Sequence, residues 1–414
     1  MILRARTILP VSQSPVENGA VVISGNRIRA IGAWPDLKPV AGGKITDLGD
    51  VVLLPGLVNA HCHLDYTDMA GQLPPPKKFT DWIAAITAAK LVRRRADYAR
   101  SWLRGARMLL KSGVTTVADI EAAPDLLPDV WDATPLRVFS FLEMTGIRAR
   151  RHPREILREA VAKIDSLSHP RCRAFLSPHA PYSTLPELLE LAAEISRKRK
   201  WRVSMHVAES DQEFEMFTKA RDAMHDWLRR NERDNSDCGL GSPVEQLARA
   251  GMLGENLLAI HANFLACGDA RLLGENHVHV VHCPRSHAYF RHAAFPRKQL
   301  AAAGVNLCLG TDSLATVLKT GGQKPELDMF AEMSALAAND KTISSAEILR
   351  MATVSGAKAL GMDGRIGELS QSAFADLIAI PFAGKISEAA EAVVNCSGSV
   401  HASMIGGEWA IPPV

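Results

Sequence analysis

At 414 residues, 47% hydrophobic and 22% charged, the chain has a globular composition and can bury a large core. A formal net charge of +3 is near balance and speaks against nucleic-acid or membrane partners. Seven cysteines without paired spacing, no basic-then-apolar leader and no apolar run of spanning length predict a cytoplasmic protein with reduced thiols.

The first fifty residues read as short strands broken by turns. Gly19 to Gly32 forms two strands around Ser24-Gly25-Asn26, a hairpin signature. Beyond Pro55, apolar runs alternate with helical stretches, which predicts βαβ units and a parallel sheet. Eight runs end at His61, Asp119, Glu143, His179, His206, His261, Cys283 and Asp312. Eight parallel strands close into a barrel, whose functional groups gather at the C-terminal strand ends. Among the intervening helices, Arg100–Lys111 sets Leu103, Ala106 and Leu110 on one face and basic residues on the other, and Gly113 stops it. Thr184-Leu185-Pro186-Glu187 has capping-box spacing. The basic run 197–200 suits a helix C-terminus, where cations complement the dipole. Ala375–Ile380 reads as a strand and Met404–Ala410 as a closing hairpin. The expected architecture is an α/β (β/α)8 TIM-like barrel over residues 55–361. A small composite β-sandwich domain from residues 1–54 plus 362–414 accompanies it.

His61 and His63 share one face at the end of the first barrel strand, a preassembled pair of nitrogen ligands for zinc or ferrous iron. Cys62 alternates to the opposite face and is expected to pack. A catalytic metal needs one or two further protein ligands and an open position. His206 and Asp312, ending the fifth and eighth runs, are the candidates. Glu209, three residues beyond His206, can carry protons, and His261 can hold water or a substrate group. Trp82, behind Pro74-Pro75-Pro76, belongs to a loop able to cover a flat ring, and Arg285 to a polar loop suited to a substrate appendage. His179 and His282 are pocket donors by position.

Together these motifs resemble the amidohydrolase superfamily, in the branch of adenosylhomocysteine, methylthioadenosine and guanine deaminases and triazine chlorohydrolases. The residues that carry the resemblance are 55–63 (Pro-Gly-Leu-Val-Asn-Ala-His-Cys-His), 177–183, 206–209, 260–261, 282–286 and 309–313. The resemblance implies one divalent metal, zinc or else iron, on His61, His63, His206 and Asp312, with Glu209 as proton shuttle and His261 orienting the nucleophile. The fourth strand, Arg173–His179, lacks the lysine that binuclear members carboxylate, which favours a single ion. After Asp312 the chain reads Ser313-Leu314-Ala315-Thr316, without the asparagine pair frequent there, and the glycine and lysine usual before Ala375-Asp376 are absent.

The expected function is a metal-dependent hydrolytic deaminase releasing ammonia from a purine-nucleoside-like substrate such as adenosylhomocysteine, methylthioadenosine or aminodeoxyfutalosine. Catalysis falls to Glu209, His261 and Asp312, and substrate contacts to His179, His282, Arg285 and Trp82. The alternatives are a chlorohydrolase or other aminotriazine hydrolase and, further off, a cyclic-amide hydrolase. Retention of Glu209 favours amine loss, since halide departure needs its proton less. A non-catalytic scaffold would have shed ligands, and this chain keeps them. The partner is a small molecule, and a homo-oligomer is expected.

Overall fold

The computed structural model describes residues 1–37, 43–147, 151–319 and 324–413. Strands β1 (Ile2–Ile8), β2 (Val16–Ser24) and β3 (Arg27–Ala33) form an antiparallel meander. Gly25, at φ +57°, turns the hairpin where a side chain would be strained. β4 (Ile45–Asp47) and β5 (Val51–Pro55) pair in parallel with β1.

The eight expected runs are the eight strands of a second sheet. In order they are β6 (Leu57–Cys62), β7 (Val114–Glu121), β8 (Arg137–Met144) and β9 (Arg173–Pro178), then β10 (Val203–Val207), β11 (Leu257–His261), β12 (His279–His282) and β13 (Asn306–Leu309). Each pairs in parallel with the next. The ends meet just beyond β13. Thr311 and Asp312 amides donate to the His61 carbonyl at 3.0 and 3.1 Å, and the Asn59 side chain donates to Thr311 Oγ1 at 2.8 Å. Gly310 permits this closure, because a Cβ there would stand 2.8 Å from the His61 carbonyl oxygen. β14 (Leu377–Pro381), β15 (Ala402–Ile405) and β16 (Glu408–Ile411) then return to the first sheet, with β14 antiparallel to β5. Both chain ends thus build one mixed sheet.

Side-chain alternation divides the barrel's core. Along β11, Leu258 and Ile260 pack inside with Val58, Ala118 and Phe141, while Leu257 and Ala259 pack outward against the helices. Around the first motif the alternation breaks: the β6–β7 register shifts between Asn59 and Cys62. Bulges of this kind re-aim side chains near active sites. Cys62 joins the outer apolar cluster.

Helix Arg95–Lys111 ends at Gly113 with φ +80°, and Arg197 to Arg199 occupy the last turn of helix Pro186–Arg199. The capping box at Thr184 is absent. That helix begins one residue later, with Leu185 at its N-cap, and Thr184 Oγ1 is buried without a partner. Pro186 at the first helical position supplies the preset φ and needs no amide partner, so it fixes the start. Among the described residues, no helix is long and apolar enough to cross a membrane.

Candidate metal centre

Four buried side chains converge at the mouth of the barrel from the ends of β6, β10 and β13. His63 Nε2 and His206 Nε2 are 3.4 Å apart, and Asp312 Oδ1 is 3.6 Å from His61 Nε2 and 3.7 Å from His63 Nε2. Ligand atoms at roughly 2.0–2.1 Å from a tetrahedral ion would be about 3.3 Å apart, so the spacing fits one ion. The polar atoms fit as well. His61 is fully buried, yet neither ring nitrogen has a hydrogen-bond partner. An orphaned buried imidazole is costly unless something binds it.

The supports orient each donor. His206 Nδ1–H donates to the His179 carbonyl at 2.9 Å, which turns Nε2 with its lone pair toward the other ligands. Asp312 Oδ2 accepts from Ser286 Oγ at 2.6 Å and Thr316 Oγ1 at 3.1 Å, leaving Oδ1 to face the histidines. Non-glycine residues at Ala208, His261, Ala262 and Asp312 all have φ between 48° and 73°. Such strain gathers where surrounding structure over-determines a functional geometry.

A second trio, Glu209, His261 and Asp312, brings donor atoms within 4.8 Å of one another, with His261 Nε2 3.5 Å from Glu209 Oε1. Burial, followed by the nearby carboxylates of Asp312 and Glu213, raises Glu209 well above the ordinary carboxylate range. Burial holds His63 and His261 down to about 3, each with neighbouring His61 adding to the effect. Burial alone would raise Asp312, but the contact with His61 and the charges of His261 and His63 hold it well below its usual range. Burial thus opposes charge on His63, His261 and Glu209, while the histidines around Asp312 favour its ionised form.

The amidohydrolase family model matches residues 52–410. The chain belongs to the amidohydrolase family. This amidohydrolase is 32% identical over 382 residues to a 5-methylthioadenosine/S-adenosylhomocysteine deaminase of Syntrophobacter fumaroxidans, covering 88% of this chain and 80% of that protein. It is 30% identical over 372 residues to a 5'-deoxyadenosine deaminase of Methanoregula boonei, with 86% and 78% covered. The fold is shared with Helicobacter pylori aminofutalosine deaminase at TM-score 0.86, 20% identity and coverage of 99% and 100%. It is also shared with a zinc-bound adenosine deaminase from Xanthomonas campestris at TM-score 0.83, 24% identity and coverage of 99% and 92%.

Beside the candidate ligands this amidohydrolase has a cleft enclosing about 150 Å³ and open to solvent at its mouth. His179 and Trp82 line it, with Glu209. His282 and Arg285 stand elsewhere. His282 stacks on Phe295 at 3.9 Å and lines a separate cavity with His287 and His292. Arg285 faces fully buried Glu332, with Nε 2.9 Å from Oε1, and donates to the Glu326 carbonyl at 2.8 Å. Pro284 opens a short helix directly after β12, and this carries Arg285 away from the cleft. Several wall residues were not anticipated as pocket groups: Tyr66, stacked 5.1 Å from His63, with Lys90, Glu143 and Trp227.

Proposed function

We propose that this amidohydrolase is a hydrolytic deaminase that replaces an exocyclic amine of a purine-nucleoside-like substrate with oxygen and releases ammonia. The carrying observation is the buried Glu209 carboxyl, 3.5 Å from His261 Nε2 and beside the ligand set, in a cleft walled by Trp82, Tyr182 and Trp227. A flat aromatic ring fits such walls. The deaminase names of its relatives, on 5-methylthioadenosine, S-adenosylhomocysteine and 5'-deoxyadenosine, support the same reading.

His61, His63, His206 and Asp312 would hold one divalent ion, zinc in preference to iron, since three imidazoles and one carboxylate suit it. Bound there, the ion would supply the Lewis acidity that makes water nucleophilic near neutral pH. Glu209 gives its proton to the ring nitrogen beside the carbon under attack, making that carbon electrophilic. His261 Nε2, which has no partner of its own, holds the incoming oxygen. Asp312 accepts the proton that water sheds and passes it to the amine, which leaves as ammonia, and Glu209 recovers a proton from the hydroxyl now on the ring carbon. Water in and ammonia out balance the exchange.

The test is ammonia release from a panel of aminopurine nucleosides, together with metal content. About one zinc per chain and turnover of at least one nucleoside are expected. Glu209→Gln should lower kcat by about 10²–10⁴-fold, the usual contribution of a positioned acid–base group, with zinc content unchanged. Full activity in that variant would remove Glu209 from the mechanism, and two ions per chain would overturn the single-ion assignment.

A further inference from the structure

The cleft has a polar corner that this chemistry leaves unused. Helix Phe79–Leu91 lines one wall with Trp82, Ile83, Ile86, Thr87 and Lys90, a stripe at helical spacing. At its far end Lys90 Nζ stands 3.7 Å from Glu143 Oε1 and 5.1 Å from the Tyr66 ring centre. Both members face the cleft, with side-chain exposures of 30% and 12%, and Thr87 and Thr145 line it nearby.

Barrel topology sets this corner apart from the reacting centre. Glu209, His261 and Asp312 come from the ends of the fifth, sixth and eighth strands, whereas Glu143 comes from the third. Both sets line one cleft, so a substrate that fills it from the reacting side meets Lys90 and Glu143 on another wall. Covering an ion pair strips its remaining water, which is unfavourable unless the ligand offers hydrogen bonds in return. An alkyl group offers none. A singly charged group satisfies one partner and repels the other. Neighbouring hydroxyls satisfy both: each O–H donates to the carboxylate while its oxygen accepts from the ammonium.

We propose that Lys90 and Glu143 form a subsite for vicinal hydroxyls, the sugar diol of an aminopurine ribonucleoside, and thereby select a nucleoside over an alkylated ring. The inference rests on the aminohydrolase reading for the identity of the diol's carrier. Two readouts separate the two ideas. Ammonia release is measured with adenosine, 5'-deoxyadenosine, 5-methylthioadenosine and 2'-deoxyadenosine. Calorimetry measures binding of inosine and 2'-deoxyinosine, which needs no turnover.

In the wild type the ribo form should be preferred over the 2'-deoxy form by about 10- to 100-fold, the range for hydrogen bonds to charged groups. In Glu143→Gln and in Lys90→Met, each close in shape to the original side chain, the preference should collapse to about threefold or less. Equal binding of the two forms by the wild type overturns the subsite, as does a preference that survives both variants. Absence of ammonia from every nucleoside, with the binding preference intact and lost in the variants, overturns the functional reading and leaves the subsite standing.

Discussion

The position of Asp312 depends on two hydroxyls, and removing one has a calculable consequence. Ser286 Oγ donates to Oδ2 at 2.6 Å, and Thr316 Oγ1 shares its one proton between the same oxygen at 3.1 Å and the Ser313 carbonyl at 3.0 Å. Both residues are 1% exposed, so bulk water does not replace a lost donor. Oδ1 is left 3.6–3.7 Å from the His61 and His63 nitrogens. A hydrogen bond to a charged acceptor contributes about 1.5–3 kcal/mol, and about 1.4 kcal/mol is tenfold in affinity. If Ser286 acts by aiming Asp312, Ser286→Ala should weaken zinc binding by about 10–100-fold, the range seen when partners of metal ligands are lost. Thr316→Val removes the longer bond and should cost about 1 kcal/mol, or roughly fivefold. The double variant should lose more than their product, because each hydroxyl partly covers for the other. Competition of the metal-free protein against a chromophoric chelator measures all four affinities. A Ser286→Ala affinity within twofold of the wild type would refute the positioning argument.

Two further outcomes follow from groups outside the cleft wall. His279 donates Nε2–H to the Glu255 carbonyl at 3.1 Å and accepts at Nδ1 from Asn306 at 3.0 Å, so a second proton would face a donor. Burial, then Arg202, lowers it to about 4 from 6.5, so its stabilising contribution is complete above pH 6.5 and is lost as pH falls through 4. Between pH 7 and 5, urea unfolding should show the wild type losing about 2 kcal/mol more than His279→Gln; equal losses would contradict this. Gly310→Ala places a methyl 2.8–3.0 Å from the His61 backbone and side chain. It should cost about 1–3 kcal/mol and weaken zinc binding together, and a change in stability alone would separate barrel closure from ligand placement.

Much of the site was legible because strand-length apolar runs alternate with helices, and a parallel barrel puts their ends together. That rule alone brings His61, His63, His206, Glu209, His261 and Asp312 to one end of the barrel, where their donor atoms form two trios. What periodicity does not report is where the backbone departs from it. By alternation His261 belongs with Leu257 and Ala259 on the outer face of β11. A left-handed backbone, φ +73° at His261 and +49° at Ala262, accompanies its placement beside Glu209. Nothing in residues 257–261 signals that turn.

Arg285 and Glu143 show the same limit from opposite sides. Both are charged residues near barrel strand ends, and only Arg285 was expected to meet substrate. Its fate was decided by a partner 47 positions away in sequence, the fully buried Glu332, whose carboxylate also accepts the Arg285 backbone amide at 2.9 Å. No local pattern encodes that meeting. For Glu143 the pattern was present. Phe139 and Phe141 pack inside the barrel, and Glu143 is the next residue of the same parity along β8. Two residues farther along a strand, an inward-facing position leaves the packed core and enters the open mouth. A carboxylate continuing an aromatic inward stripe at a C-terminal strand end is therefore a pocket residue by geometry alone.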